Sequence, residues 1–283
     1  MVDPQGPVLT CAGRQFHVRH HDGMEPAVLL MSGCGLAMEY WSGVNARLSE
    51  RRVIAYDRPG MGGTTWPGHL PTLHDEVESL ASLLDQVNVQ RVVLVAHSMA
   101  SFHAEALARK YPEKIAGIVF VDGSVEWYTS RPKPSMTSLP RKLRMALRTP
   151  TMGDVGGMFW RFGTYMQSNW DYSRLGYGRL PAIYRDPDSL VMATAESIAY
   201  ARQGWDLLKY RPKYPFPKVP VVVLTAGRNE DWINSTARYA QLLGGRQVVV
   251  EESRHLMMLD CPDVIEDAVR SILTTDAAAH AVS

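Results

Sequence analysis

The sequence predicts an α/β fold in which a mostly parallel, doubly wound sheet carries helices on both faces and a helical cap is inserted between two of its strands. The first observation is a set of short, almost wholly apolar runs, at residues 27–31, 52–56, 91–96, 115–121 and 219–225. Continuous apolar runs are typical of strands buried on both faces, as in a parallel sheet. The second is that helical patterns lie between these runs, which gives the alternation of an open α/β sheet.

The helical patterns are regular enough to place. An apolar stripe at helical spacing runs from Leu73 to Val87, and Thr72 with Asp75 forms a capping box at its start. A second helix is predicted from Ser98 to Tyr111, and a last one from Pro262 with Asp260 as its N-cap. The first twenty residues are expected to add one or two short antiparallel strands, at 8–12 and 15–19.

The third observation is that the alternation stops between residues 124 and 205. An insertion of about 80 residues at one loop of a sheet is a lid or cap and not an ordinary connection. We therefore predict a core of residues 1–123 and 206–283 and a helical cap of residues 124–205 over the carboxyl edge of the sheet. Its aromatic and methionine residues predict an apolar pocket: Trp127, Tyr128, Met152, Met158, Phe159, Trp160, Phe162, Tyr165, Met166 and Trp170.

Composition and charge argue against several classes of partner. The chain has 283 residues, 46% of them hydrophobic and 21% charged, with a formal net charge of +1. This balance gives no electrostatic reason to expect nucleic acid or an acidic membrane as a partner. No apolar run is long enough for a transmembrane helix, and the first residues lack the pattern of a secretory signal.

The cysteines are three in number, at scattered spacings: Cys11, Cys34 and Cys261. Neither a CxxC pair nor a Cys/His cluster with metal-ligand spacing is present in the sequence, so we predict a reduced, cytoplasmic setting and no metal.

Ser98 is the first candidate for chemistry. It lies where a buried strand runs into a helix, in the order Ala96-His97-Ser98-Met99-Ala100. A nucleophilic serine at such a turn needs small residues two before and two after it, and Gly-x-Ser-x-Gly is the usual form. Here alanines take both glycine positions. The alternative is a serine that only caps an ordinary helix.

Three other loops add to the evidence that Ser98 is a nucleophile. Ser32-Gly33-Cys34-Gly35 follows an early strand, Asp57-Arg58-Pro59-Gly60-Met61-Gly62-Gly63 follows the next, and Arg254-His255 precedes the last helix. In order and spacing, these loops and the serine turn resemble the α/β-hydrolase superfamily, in its serine esterase-like branch with a helical cap. The sequence departs from the family pattern at Ser32, where histidine is usual, and at Arg254, where glycine is usual.

The resemblance implies a role for each residue. Ser98 would attack a carbonyl group, and His255 would take its proton and return it to the leaving group. The backbone N–H groups of Met99 and Cys34 would form the oxyanion hole. His97 is expected to point away from the nucleophile, and His103 is interpreted as a packed helix residue.

The acid of the triad is left open by the sequence. In most of the family it follows the strand after the cap, where the expected offset falls on Glu230, with Asp231 one residue later. Other members carry it at the end of the strand before the cap, where this chain has Asp122. We take Asp122 as the first candidate and Asp231 as the alternative.

A serine at this position forms an acyl-enzyme, which suits carboxylic esters, thioesters, lactones or amides. The predicted function is a cofactor-independent serine hydrolase of ester-like bonds acting on a small molecule with an apolar part. The alternatives are a lyase, perhydrolase or cofactor-free oxygenase with the same residues, or a ligand-binding receptor. Neither the physiological substrate nor the oligomeric state follows from the sequence.

Overall fold

The computed structural model describes residues 6–125, 137–147, 150–169, 178–227 and 229–281. Within them the strands form one eight-stranded sheet in the order β1-β2-β4-β3-β5-β6-β7-β8. The first two strands pair antiparallel to their neighbours, and every pair from β4 to β8 is parallel. The strands are β1 (Val8–Cys11), β2 (Arg14–His21), β3 (Met24–Met31), β4 (Arg51–Asp57), β5 (Val92–His97), β6 (Ile115–Val121), β7 (Val221–Ala226) and β8 (Arg246–Val250).

Helices cover both faces of this sheet, so its central strands are buried and mostly apolar. Every residue of β5, β6 and β7 is buried, as expected for parallel strands with two covered faces. The α helices of the described chain are α1 (Ser42–Arg47), α2 (Leu73–Gln86), α3 (Ala100–Lys110), α4 (Leu139–Ala146), α5 (Pro150–Gln167), α6 (Leu180–Ile183), α7 (Pro187–Lys213), α8 (Glu230–Leu242), α9 (Met257–Asp260) and α10 (Pro262–Ala281).

One predicted helix start is confirmed and another is wrong. Thr72 Oγ1 accepts the N–H of Asp75 at 3.1 Å, and the Asp75 carboxylate accepts the N–H of Thr72 at 3.3 Å, which is the predicted capping box. Asp260 does not cap the last helix, because it ends α9 and α10 begins at Pro262. Its carboxylate accepts the backbone N–H groups of Arg254 and Asn169 instead.

The long insertion between β6 and β7 contains helices α4 to α7. Helix α7 extends to Lys213, so the predicted boundary at residue 205 falls within it. Trp160 of α5 stacks on Tyr184, with ring centroids 4.8 Å apart, which packs two parts of the insertion together. Across the described residues, no helix combines the length and apolar character needed to span a membrane.

The parallel strands place the candidate residues at one edge. The carboxyl ends of parallel strands meet at the same edge of a sheet, where open α/β folds bind ligands. Here β3 leads into Ser32, β5 into Ser98, and β6 into Asp122. Because β5 lies between β3 and β6, the loops after these three strands are neighbours.

Candidate active site

Ser98 lies in a strained turn between β5 and α3. Its φ is 52°, in the left-handed region that residues other than glycine rarely adopt. The turn is held by hydrogen bonds on both sides: the N–H of Ser98 donates to the carbonyl of Val121 at 3.2 Å, and its carbonyl accepts from Ser101 and Ser124 at 3.0 Å each. Backbone strain of this kind persists where the surrounding structure fixes it, and it concentrates at functional sites.

The two alanines of the turn are fully buried. Ala96 lies in β5 and Ala100 is the first residue of α3, and neither side chain is exposed to solvent. A methyl group therefore fits at both positions where glycine is usual, and the backbone of Ser98 still adopts the left-handed conformation.

A chain of hydrogen bonds joins Ser98, His255 and Asp122. The Oγ of Ser98 lies 3.1 Å from Nε2 of His255, and Nδ1 of His255 lies 2.7 Å from Oδ2 of Asp122. In the neutral ring, the Nδ1–H donates to the carboxylate and Nε2 is left to accept the serine hydroxyl. The structure thus brings together three residues that are far apart in the chain.

Asp122 is largely buried, and both of its oxygens have partners. Its Oδ1 accepts the backbone N–H of Ala226 at 3.1 Å and the indole N–H of Trp232 at 2.8 Å. Burial raises the pKa of Asp122, but the hydrogen bond and charge of His255, with these two donors, lower it below its usual range. Asp122 is therefore an ionised carboxylate that holds the His255 tautomer.

The alternative acids lie elsewhere. Glu230 and Asp231 are exposed in the first turn of α8, which Asn229 caps by accepting the N–H of Trp232. The structure does not bring either carboxylate against His255, whose Nδ1 faces Asp122. The residue of this turn that does reach the site is Trp232.

The turn after β3 approaches Ser98 so closely that only glycine fits at residue 33. A Cβ atom on Gly33 would lie 2.6 Å from Nδ1 of His97 and 2.9 Å from Cβ of Ser98. The next residue, Cys34, lines the same cavity as Ser98. Burial, with the nearby Glu196 carboxylate, raises the pKa of the Cys34 thiol to about 12, so the thiol is neutral at pH 7.

Met99 is the other residue predicted to donate to an oxyanion. It lies at the N-terminal end of α3 and is fully buried. The first N–H groups of a helix have no acceptor within the helix, and the helix dipole favours negative charge there. The backbone of Met99 is thus a suitable donor to an oxyanion beside Ser98.

His97 is closer to the site than the sequence suggested. Its side chain is buried, and its Nε2–H donates to the backbone carbonyl of His255 at 2.9 Å. Burial and the adjacent His255 lower the pKa of His97 to about 3, so this ring is neutral at pH 7. His103, by contrast, is packed as predicted, with Nε2 2.7 Å from the side-chain oxygen of Gln203.

A cavity of about 520 Å³ lies between the sheet edge and the inserted helices, with Ser98 and His255 in its wall. Most of the wall is apolar, formed by Leu36, Leu143, Leu147, Trp160, Leu190, Ala193 and Leu256. A cavity of this size and character suits the apolar part of a small molecule.

The predicted aromatic and methionine lining is only partly present. Trp160 contributes, whereas Met158, Phe162 and Tyr165 are exposed. Met166 lines a neighbouring cavity that also reaches Asp122. The residues or side chains of the others lie outside the described part of the chain: Trp127, Tyr128, Met152, Phe159 and Trp170. Leucines of α4 and α7 form the wall instead, and nothing in their local pattern separates them from ordinary core residues.

The loop that carries His255 is held by the end of α5. The N–H of Leu256 donates to the carbonyl of Gln167 at 3.0 Å, and the Arg254 side chain donates to the carbonyl of Met166 at 3.1 Å. Asp260 closes the loop from the other side by accepting the N–H of Arg254 at 2.9 Å. These contacts fix the backbone on both sides of His255.

Sequence reasoning missed several residues that support the site. Trp232 and Asp260 hold Asp122 and the His255 loop, and Glu196 binds the turn after β3. Glu196 could have been noticed in the sequence, since it is a carboxylate among the mostly apolar residues on the buried face of α7. A charged residue in such a position is seldom buried without a partner.

Comparison with known proteins was made on this basis. The model of the alpha/beta hydrolase family matches residues 28–268. "Putative carbamate hydrolase RutD" of Pantoea ananatis is 33% identical over 100 residues, a stretch that covers 34% of this chain and 36% of the relative. This chain therefore matches only about a third of that relative's length.

Solved structures agree in fold over nearly the whole chain. The enol-lactonase of Burkholderia xenovorans LB400 has a TM-score of 0.70 at 20% identity, with 95% of this chain and 100% of that chain covered. An esterase of Thermogutta terrifontis has a TM-score of 0.69 at 22% identity, with 96% and 99% covered. At such identities the likeness shows the fold alone. Since the family model spans most of the chain, this protein belongs to the alpha/beta hydrolase family.

Proposed function

We propose that the protein is a serine hydrolase that cleaves carboxylic ester-like bonds through an acyl-enzyme, without a cofactor. The observation that carries the proposal is the continuous hydrogen-bond chain from Asp122 through His255 to Ser98, which ends in an apolar cavity. This is the arrangement of nucleophile, base and orienting carboxylate that acyl transfer requires.

In the acylation half, Ser98 Oγ attacks the carbonyl carbon of the substrate while His255 Nε2 takes its proton. The bond from carbon to the leaving oxygen then breaks, and the same proton passes from His255 to the leaving alcohol. Asp122 stays ionised throughout and stabilises the imidazolium that forms between these two steps. Its lowered pKa is consistent with that role.

The oxyanion that forms on the carbonyl oxygen needs donors on the side away from His255. We assign these to the backbone N–H groups of Met99 and Cys34, which flank Ser98 at the start of α3 and in the turn after β3. Each such donor contributes roughly 10²–10³-fold to the rate in serine hydrolases. The helix dipole of α3 adds to the effect at Met99.

In the deacylation half, a water molecule replaces the alcohol. His255 Nε2 takes one of its protons as the oxygen attacks the acyl carbon, and the proton returns to Ser98 Oγ when the acid leaves. The inserted helices act in this proposal as a cap, whose leucines and Trp160 receive the acyl group. The similar proteins include an enol-lactonase, an esterase and a protein named as a carbamate hydrolase, and these activities support acyl chemistry of this kind.

The proposal is tested by the hydrolysis of a series of p-nitrophenyl esters, from acetate to dodecanoate, with Ser98→Ala as the control. We expect a pre-steady-state burst of p-nitrophenol and a higher kcat/KM for hexanoate than for acetate, because the cavity wall is apolar. Ser98→Ala should lower kcat by about 10⁴-fold or more. Hydrolysis at wild-type rate by Ser98→Ala would contradict the proposal.

A further inference from the structure

Arg58, in the loop after β4, is buried beneath the turn that follows β3. Its guanidinium donates to the carbonyl groups of Ser32 and Gly33, the latter at 2.6 Å. The same group forms a two-pronged ion pair with Glu196 of α7, where Nη2 donates to Oε2 at 3.0 Å. Arg58 and Glu196 are only 2% and 1% exposed, so this is a desolvated ion pair that links the inserted helices to the core.

Glu196 also binds the turn directly. Its Oε2 accepts the backbone N–H of Gly35 at 2.6 Å. The turn is therefore held at three successive peptide groups, two by Arg58 and one by Glu196. Gly35 lies against the inserted helices, where a Cβ atom would be 2.3 Å from the ring of Trp160 and 2.8 Å from Cβ of Ala193.

These contacts, together with the N–H of Leu36 that also donates to the Gly33 carbonyl at 3.2 Å, set the direction of the N–H group of Cys34. In a planar trans peptide the C=O of one residue and the N–H of the next point in opposite directions. The carbonyl of Gly33 is directed at Arg58, so the N–H of Cys34 is directed away from Arg58. A Cβ atom on Gly33 would lie within 3 Å of both Ser98 and His97, and Cys34 lines the cavity with Ser98.

We propose that Arg58 and Glu196 are positioning residues that orient the Cys34 N–H as an oxyanion donor, so that the inserted helix α7 controls the rate of acyl transfer. The inference rests on the proposed function, since it concerns the oxyanion of that reaction. Neither Arg58 nor Glu196 lines the cavity, so the pair acts through the peptide planes of the turn.

The chain offers a matched control for this pair. Glu105 of α3 is a fully buried carboxylate whose two oxygens accept from Arg211 of α7 and from Arg109 and Tyr239. It links α7 to the core by a buried ion pair, as Glu196 does, but these partners do not belong to the turn after β3. Glu105→Gln therefore perturbs stability in the same way without changing the direction of the Cys34 N–H.

The experiment compares three variants: Glu196→Gln, Glu105→Gln, and a double variant that carries both Arg58→Gln and Glu196→Gln. The double variant leaves no unpaired buried charge. Four quantities are measured: kcat and KM for a p-nitrophenyl ester, the Ki of an alkyl trifluoromethyl ketone, and Tm. The ketone forms a hemiketal oxyanion with Ser98, so its affinity reports on the donors. Ser98→Ala is included in the same series.

Glu196→Gln should lower kcat by about 10²-fold and raise the Ki of the ketone by a similar factor, as loss of one oxyanion donor requires. The KM of the ester should stay within about threefold of wild type. The double variant should regain Tm but not kcat. Glu105→Gln should lower Tm with kcat unchanged. If Glu196→Gln and Glu105→Gln lose kcat equally, or if the double variant regains kcat, the positioning role is refuted. If Ser98→Ala keeps wild-type activity, the proposed function fails, and this inference with it.

Discussion

The indole N–H of Trp232 donates a 2.8 Å hydrogen bond to Oδ1 of Asp122, the carboxylate whose other oxygen binds His255. Helix α8 thus supplies a donor to the acid, while its own carboxylates at Glu230 and Asp231 face solvent. The contact places Trp232 behind the acid–base pair, where it stabilises the ionised carboxylate.

Replacing this donor should weaken catalysis moderately. Trp232→Phe keeps an aromatic ring but removes the indole N–H, so the Asp122 carboxylate loses one donor and the pKa of Asp122 should rise. We expect kcat to fall by roughly tenfold, in line with about 1.5 kcal/mol for a hydrogen bond to a charged group. Steady-state kinetics with a p-nitrophenyl ester measures this loss, and a kcat equal to that of wild type would show that the Trp232 donor does not contribute.

The identity of the acid is tested by three separate substitutions. Asp122→Asn should lower kcat by about 10⁴-fold, because the amide favours the wrong tautomer of His255. Asp231→Asn and Glu230→Gln serve as matched controls on the exposed turn of α8 and should change kcat by less than about twofold, as surface substitutions away from the site do. Steady-state kinetics of the three variants decides the point, and a large loss in Asp231→Asn with a small one in Asp122→Asn would reverse the assignment.

The close approach of Gly33 to Ser98 makes a second prediction about the turn after β3. Gly33→Ala adds a Cβ that would lie 2.6 Å from His97 and 2.9 Å from Ser98, so the turn or the nucleophile must move. We expect kcat to fall by roughly 10–100-fold, since sub-ångström misplacement of reacting groups is costly.

The control for this substitution is Gly43→Ala in α1, where the nearest atom to the new Cβ would be 3.6 Å away. That change should leave kcat unaltered and raise stability slightly, because alanine is the better helix former. Equal kinetics for the two variants would mean that the turn tolerates a side chain at residue 33.

Burial of His97 makes stability depend on pH. Its folded-state pKa of about 3 lies below its ordinary value of 6.5, so between these values the unfolded chain binds the extra proton. Stability contributed by neutral His97 is therefore present above pH 6.5 and is lost as the pH falls. From pH 6.0 to 4.5, this one group should lower the free energy of unfolding by about 2 kcal/mol.

Urea unfolding at the two pH values measures this contribution. The loss on acidification should be smaller in His97→Gln than in wild type by about that amount. His69→Gln, at an exposed histidine, should behave like wild type. If His97→Gln loses as much stability as wild type, then His97 is not held neutral by the fold.

The fold was predictable because its signals are local and repeated. Each central strand is a continuous apolar run, and the run of β6 from Ile115 to Val121 matches the predicted strand in both bounds. The capping box at Thr72 was equally readable, since both partners lie within one turn. By contrast, Asp260 is a residue type that often caps a helix N-terminus, but here its carboxylate accepts the N–H of Arg254. This contact depends on how the His255 loop packs.

The site was predictable only in part, for a physical reason. Ser98 and His255 follow strands or precede helices in a recognisable order. Asp122 could be preferred over Asp231 in the sequence but not separated from it, because the choice depends on β6 lying beside β5 in the sheet. Arg58 and Glu196 are separated by 138 residues, and no local pattern pairs them. The leucines that line the cavity could not be recognised in the sequence for the same reason, because their role depends on how α4 and α7 pack.

The central claim is that Ser98 carries the acyl group. The most direct measurement is intact-protein mass spectrometry after treatment with an alkyl fluorophosphonate, followed by peptide mapping of the adduct. The account predicts one phosphonyl group per chain on Ser98, a rate of labelling that falls by orders of magnitude in His255→Gln, and no labelling of Ser98→Ala. A stable adduct on Ser98→Ala, or an adduct on any other residue of the wild type, would contradict it.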